Sequence, residues 1–132
     1  MRGFGLCDGA MASSVAHDSH NIIVVGVEDN DMEIAVREIM NMGGGLAVTA
    51  KGSVKARLPL GVAGLMSDME AEEVASKVEE LKRAAGELGC SLAEPFMAMS
   101  FLSLPVIPDL KITDKGLVDV TRFKFTPLFG EE

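Results

Sequence analysis

The sequence contains no tryptophan or tyrosine and only six phenylalanines, so aromatic side chains for stacking nucleic-acid bases are scarce. Its twelve basic residues are scattered and outnumbered by twenty acidic ones, and the net charge of −8 disfavours binding to nucleic acids or anionic membranes. No apolar run approaches the roughly 20 residues of a membrane helix, and the first residues lack the pattern of a signal peptide. We therefore expect a cytoplasmic protein whose partners include neither nucleic acid nor a membrane.

Cysteine and histidine are also sparse. Cys7 and Cys90 are isolated, which is typical of a reducing compartment, and a disulfide between them is the less favoured alternative. His17 and His20 are the only histidines, and their H-x-x-H spacing lacks a third ligand at a characteristic distance. Because a catalytic metal ion needs about three protein ligands, we expect this chain to bind no metal cofactor by itself.

Two helices are predicted by apolar residues that recur at helical spacing, one between Asn30 and Gly43 and the other between Ser67 and Gly89. Asn30 and Ser67 are the expected N-caps, because a glutamate follows each of them three residues later. The two glycines are expected to end the helices, since glycine readily adopts the left-handed conformation found there.

Strands are predicted by β-branched and apolar runs at residues 21–27, 46–50 and 54–58, the first of them buried, with a tight turn at Lys51 and Gly52. Further strands are expected in MAMSFL, residues 97–102, and around Phe123 and Phe125. Together with an ordinary globular composition, these elements predict an α+β fold. We expect a single domain over residues 1–132, with a mixed or antiparallel sheet covered by two main helices.

The segment AHDSHN, residues 16–21, is the candidate site, because it places His17, Asp18, Ser19 and His20 next to a predicted strand. Imidazoles exchange protons near neutral pH, and a strand end fixes the position of such groups beside a cleft. The alternative is a polar turn whose side chains satisfy local backbone groups. From the residues alone, both interpretations stay open.

Longer blocks of the sequence resemble the C-terminal domain of the microbial adenine deaminases, in the amidohydrolase superfamily. The blocks are GFGL at 3–6, ASSVAHDSHNIIVVG at 12–26, MGGGL at 42–46, LPLGVAGLMSD at 58–68, PFMAMSFLSLPVIPDLKITDKGLVDV at 95–120 and FKF at 123–125. They occur in order over nearly the whole chain. Cys7 and Asp8 stand where this family is expected to have basic residues, so an anion-attracting role for that stretch is in doubt.

The resemblance implies a reaction that converts adenine and water to hypoxanthine and ammonia. It also implies a barrel domain, on the same or a separate chain, whose manganese or iron ions make hydroxide for the attack on the purine. The barrel's ligands are not in this sequence, so the chain is expected to be inactive alone and to be either part of a longer protein or a free-standing relative. On this basis, residues 17–20 are expected to help close the substrate pocket.

Two other functions stay open at this point. The domain could be a non-catalytic module for packing or homo-oligomerisation, or a free-standing purine-binding protein. Adenine binding by the isolated chain would favour the free-standing protein, and kinetics of His17 and His20 variants would separate pocket closure from packing.

Overall fold

The computed structural model describes residues 3–17 and 19–129. Three helices are interspersed among seven strands in these residues, and the strands form two separate sheets. The elements are β1 (Ala10–Ser13), β2 (Ile23–Gly26), α1 (Asp29–Asn41), β3 (Gly45–Ala50), β4 (Ser53–Pro59), α2 (Ala71–Glu87), α3 (Pro95–Ser100), β5 (Leu110–Thr113), β6 (Gly116–Asp119) and β7 (Lys124–Phe125). No helix among these residues is long and apolar enough to cross a membrane.

The main sheet is antiparallel, with the strand order β2-β1-β3-β4. Alternate side chains of its strands point to opposite faces, and each face has its own core. Small residues such as Ala12 and Ala47 lie on the α1 side and pack with Ile39, whereas Met11 and Val48 lie in the other core with α2 and α3. The prediction of an α+β fold, with a mixed or antiparallel sheet covered by two main helices, is confirmed, and the sheet is antiparallel.

The predicted turn between β3 and β4 is confirmed and has a tertiary partner. Lys51 and Gly52 have φ values of +54° and +73°, as a two-residue hairpin turn of this type requires. The buried carboxylate of Asp31, from α1, accepts hydrogen bonds from the N–H groups of Lys51 at 3.0 Å and Gly52 at 2.8 Å. Helix α1 is thereby tied to the end of the sheet farthest from residues 17–20.

The C-terminal end of each helix was predicted correctly, but the predicted N-cap of each helix was wrong. Helix α1 begins after Glu28 and α2 after Glu70, and neither residue makes a side-chain capping hydrogen bond. The Ser67 hydroxyl instead accepts a hydrogen bond from the N–H of Met69 at 3.1 Å, which makes a local turn before the helix. Acidic residues in the first turn of each helix, including Asp29 and Glu72, complement the helix dipole without a cap.

Two predicted strands also differ from the structure. The first four residues of MAMSFL belong to helix α3. Pro95 lies in the first turn of this helix, where proline is favoured, and it is buried on the same helix face as Met99, four residues later. Strand β2 is half-buried rather than buried, because it lies at the edge of the sheet. The exposure of β2 is determined by its place in the strand order rather than by its β-branched composition.

The second sheet is small and formed by the C-terminal part of the chain. Its strand order is β5-β6-β7, and all of its pairs are antiparallel. A turn around residues 114–115 joins β5 to β6, and the predicted terminal strand is the two-residue β7. That these segments form a sheet separate from the main one was not predicted.

Candidate functional site

The turn between β1 and β2 includes His17, Ser19 and His20, and α3 holds its start. The N–H of His17 donates a hydrogen bond to the carbonyl of Ser100 at 2.7 Å. The Ser103 hydroxyl donates to the carbonyl of His17 at 3.1 Å. The N–H of His20 donates to the carbonyl of Ala16 at 2.7 Å, which closes the turn. The turn is therefore fixed by the chain after α3 as well as by its own strands.

The two histidines have different surroundings. The His17 side chain is half-buried, and its ring stacks on Phe101, with centroids 5.1 Å apart and planes 24° from parallel. The His20 side chain is exposed, and its ring centroid lies 6.0 Å from that of His17. His20 has a φ of +50°, a conformation that costs free energy for a residue with a side chain. His17 is thus held against the protein, whereas His20 is available to a ligand or partner.

A first cavity, of about 400 Å³, lies between this turn and the small sheet. On the turn side it is lined by Ser19 and Asn21, and the Asn21 Oδ1 atom is buried without a hydrogen-bond partner in the described structure. On the other side it is lined by the β5–β6 hairpin, whose tip includes Lys115. The hairpin therefore brings polar groups from the C-terminal sheet to the turn.

A second cavity, of about 230 Å³, lies on the other side of the turn and includes His20. Its opposite wall is formed by two glycine-containing loops, at residues 43–45 and 61–66. These loops approach closely, since a Cβ atom added to Gly44 would lie 2.3 Å from the Cα of Gly64. Glycine is required at Gly44 for this contact as well as for its φ of +120°.

Ser14 links these two loops next to the turn. Its buried hydroxyl donates a hydrogen bond to the carbonyl of Gly64 at 2.6 Å and accepts one from the N–H of Gly45 at 2.8 Å. A single side chain thus fixes the start of β3 and the loop at residues 61–66 beside the second cavity.

Three of the four predicted site residues, His17, Ser19 and His20, are close in space but do not share one cavity. Ser19 lines the first cavity, His20 lines the second, and His17 stacks on Phe101. Asp18 lies outside the described residues. The role predicted for these four residues, closure of a substrate pocket, stays a prediction.

Sequence reasoning missed Lys115, Ser103 and the two loops of the second cavity as neighbours of the turn. The turn at residues 114–116 and the glycine runs were visible as local features. No pattern in the sequence indicates that they meet residues 17–20, because these contacts join distant parts of the chain.

The described residues contain no group of three or more histidine, cysteine or acidic side chains that could hold a metal ion. Cys7 is exposed and Cys90 is buried, and both are free thiols, so the structure does not contain the alternative disulfide. The residues present in this part of the chain do not fit the two-metal centre that the resemblance assigns to the barrel.

Comparison with known proteins gives matches over almost the whole chain. Residues 1–124 match the family described as adenine deaminase C-terminal domain. The chain is similar to the adenine deaminase of Desulfatibacillum aliphaticivorans, with 59% identity over 129 residues, which cover 98% of this chain and 23% of that protein. It is 52% identical to the adenine deaminase of Moorella thermoacetica over 97% of this chain and 22% of that protein.

A third relative, the adenine deaminase of Dehalococcoides mccartyi, is 51% identical over 96% of this chain and 22% of its own length. The chain therefore spans less than a quarter of the curated relatives it matches. Since the family match covers far more than half of the sequence, the chain belongs to the adenine deaminase C-terminal domain family.

Proposed function

We propose that this chain is the C-terminal domain of an adenine deaminase, a cytoplasmic hydrolase of the amidohydrolase superfamily that converts adenine and water to hypoxanthine and ammonia. The observation that supports this most directly is the family match over residues 1–124, which contains the whole 17–20 turn. In this proposal the domain is inactive alone and helps to close the substrate pocket of a barrel domain.

The barrel domain, rather than this chain, is proposed to hold the manganese or iron ions. The described residues here offer no group of ligands for them, so no step of the reaction is assigned to a metal on this chain. The contribution of this chain is limited to binding, orienting and enclosing the purine.

Within that role, His20 and Ser19 are proposed to contact the substrate, and His17 to hold the turn. An exposed imidazole and an exposed hydroxyl can each donate or accept a hydrogen bond, which suits the ring nitrogens and amino group of adenine. The stacking of His17 on Phe101 and its two backbone hydrogen bonds support a positioning role. Closure of a site also excludes water that would compete for these hydrogen bonds.

The test uses a complete enzyme, in which this chain replaces the matching 129 residues of the Desulfatibacillum aliphaticivorans relative. We call this protein the chimaera. His20→Ala and His17→Ala are each expected to lower kcat/KM for adenine by roughly tenfold or more, since each loses about 1.4 kcal/mol or more of transition-state stabilisation. Lys55→Ala, an exposed substitution on β4, is the matched control and should leave kcat/KM unchanged.

The two histidine variants should differ in stability. His17→Ala removes the stacking contact with Phe101, and His17→Phe should restore stability without an imidazole. Unchanged kinetics for both alanine variants, with unchanged stability, would show that the turn only packs against its partner. Tight adenine binding by the isolated 132-residue chain, measured by calorimetry, would instead indicate a free-standing purine-binding protein.

A further inference from the structure

The small C-terminal sheet has an apolar face that nothing in the described structure covers. The register pairs Ile112 with Leu117 and Leu110 with Asp119, so these side chains share one face. Leu110 is 55% exposed and Ile112 is 56% exposed. Asp119 and its partner Lys124 lie on the same side of the sheet, and the opposite side lines the first cavity. We call the apolar residues Leu110, Ile112 and Leu117 the outer face.

The same part of the chain holds much of the exposed apolar surface. Of the fifteen large hydrophobic residues that are exposed in the described part of the chain, eight lie between residues 106 and 129. They include Val106 at 68%, Phe123 at 83% and Phe129 at 83% exposure. Exposed apolar residues concentrated in one part of a chain favour an interaction site there.

The size of this sheet also indicates a missing partner. Its strands have four, four and two residues, and a sheet so small gains little stability from its own pairing. Its segment is nearly neutral in charge, with four basic and three acidic residues at 105–129, whereas the whole chain has a net charge of −8. Burying this segment therefore requires less desolvation of charge than burying most other parts of the chain.

We propose that the outer face is the surface by which this domain docks onto the remaining, N-terminal part of the same enzyme. This rests on the proposed function, because it requires the domain to be part of a longer protein. The relatives are more than four times as long as the segment they share with this chain, so a larger body is present for the domain to contact. Docking of the outer face would hold the inner face of the sheet over Ser19 and the first cavity.

The experiment compares the same substitutions in the isolated chain and in the chimaera. The double variant Leu110→Lys, Ile112→Lys places charge on the outer face without entering either core, and it sets the new lysine at position 110 opposite Asp119 rather than a second carboxylate. We expect it to change the melting temperature of the isolated chain by about 1 °C or less, and to lower that of the chimaera by about 5 °C or more.

The control is Val27→Lys, just after β2, where the side chain is 46% exposed and lines neither of the two cavities beside the turn. It should change the two melting temperatures equally. Hydrogen exchange gives a second readout, because the amides of β5 should be more protected in the unsubstituted chimaera than in the isolated chain.

Equal effects of the double variant in both proteins, or greater sensitivity of the chimaera to Val27→Lys, would overturn the proposal. A dimer of the isolated chain in analytical ultracentrifugation that the double variant abolishes would also overturn it, since the occupant would be a second copy. The deaminase activity of the unsubstituted chimaera separates the two proposals. The chimaera could lack deaminase activity while the double variant still lowers its melting temperature and not that of the isolated chain. That result would contradict the proposed function and support the docking surface.

Discussion

Removal of the Ser14 hydroxyl should destabilise the domain more than a serine-to-alanine change usually does. In Ser14→Ala, the N–H of Gly45 loses its acceptor and the carbonyl of Gly64 loses its 2.6 Å donor. Both glycines are buried, so water cannot easily replace the hydroxyl. Each polar group left unsatisfied costs about 1–3 kcal/mol, and we expect a combined loss of about 2–4 kcal/mol after partial relaxation.

Urea unfolding of the isolated chain, followed by circular dichroism, measures this loss directly. For a domain of this size the melting temperature should fall by about 6–15 °C. The control is Ser76→Ala, at an exposed position inside α2, which should be neutral or slightly stabilising because alanine favours the helix. A loss below about 0.5 kcal/mol for Ser14→Ala, at an unchanged m-value, would refute the view that this hydroxyl joins the two loops.

Two further perturbations test other contacts. Asp31→Ala removes both acceptors of the Lys51–Gly52 turn and should lower the free energy of unfolding by about 1–3 kcal/mol, with a smaller loss for Asp31→Asn, as urea unfolding would show. The pKa of the Asp119 carboxyl lies below its ordinary 3.8, chiefly because the hydroxyl of Thr121 donates a hydrogen bond to it. Burial raises this pKa, whereas the N–H and the charge of Arg122 lower it further. Thr121→Val should therefore raise the pKa of Asp119, measured by NMR titration of the carboxyl carbon, and an unchanged pKa would contradict this assignment. Because the folded-state pKa is the lower one, the stability that Asp119 provides is present above about pH 4 and is lost as the pH falls through the folded-state pKa.

The elements predicted best were those whose signals are local. The apolar stripe of α2 is confirmed, with Leu81 and Ala85 buried, and Gly89 follows its end with a φ of +96°. The Lys51–Gly52 turn is confirmed because its two residues must adopt positive φ, which strongly restricts the sequence. In each case a few neighbouring residues are sufficient to specify the structure.

The wrong predictions involve residues with a competing partner. Ser67 has the composition of a helix cap, but its hydroxyl bonds to Met69 and the helix begins later. The run around Ile23 has the composition of a buried strand, but it is placed at the edge by the pairing of β1 with both β2 and β3. Local propensity cannot distinguish these outcomes, because a competing local hydrogen bond determines the first and long-range strand pairing determines the second.

In the candidate site, too, local signals were predicted and long-range contacts were not. The sequence was sufficient to select residues 17–20, because four polar residues interrupt an apolar segment. It could not indicate that the His17 ring stacks on Phe101, or that the β5–β6 hairpin meets Ser19. Both contacts depend on how the C-terminal third of the chain returns to the first two strands.

The two cavities beside the turn differ in how firmly their walls are held, and this difference bears on how the domain would act. The second cavity is bounded by loops that Ser14 and the close approach of Gly44 to Gly64 fix in place. The first cavity is bounded by a small sheet whose outer face is uncovered. If that face docks onto the rest of the enzyme, the hairpin tip with Lys115, which already lies beside Ser19 in this chain, gains a second support in the complete protein. Since docking and the shape of the first cavity then depend on the same sheet, the wall of this cavity would be held less firmly in the isolated domain even with every residue of the turn present.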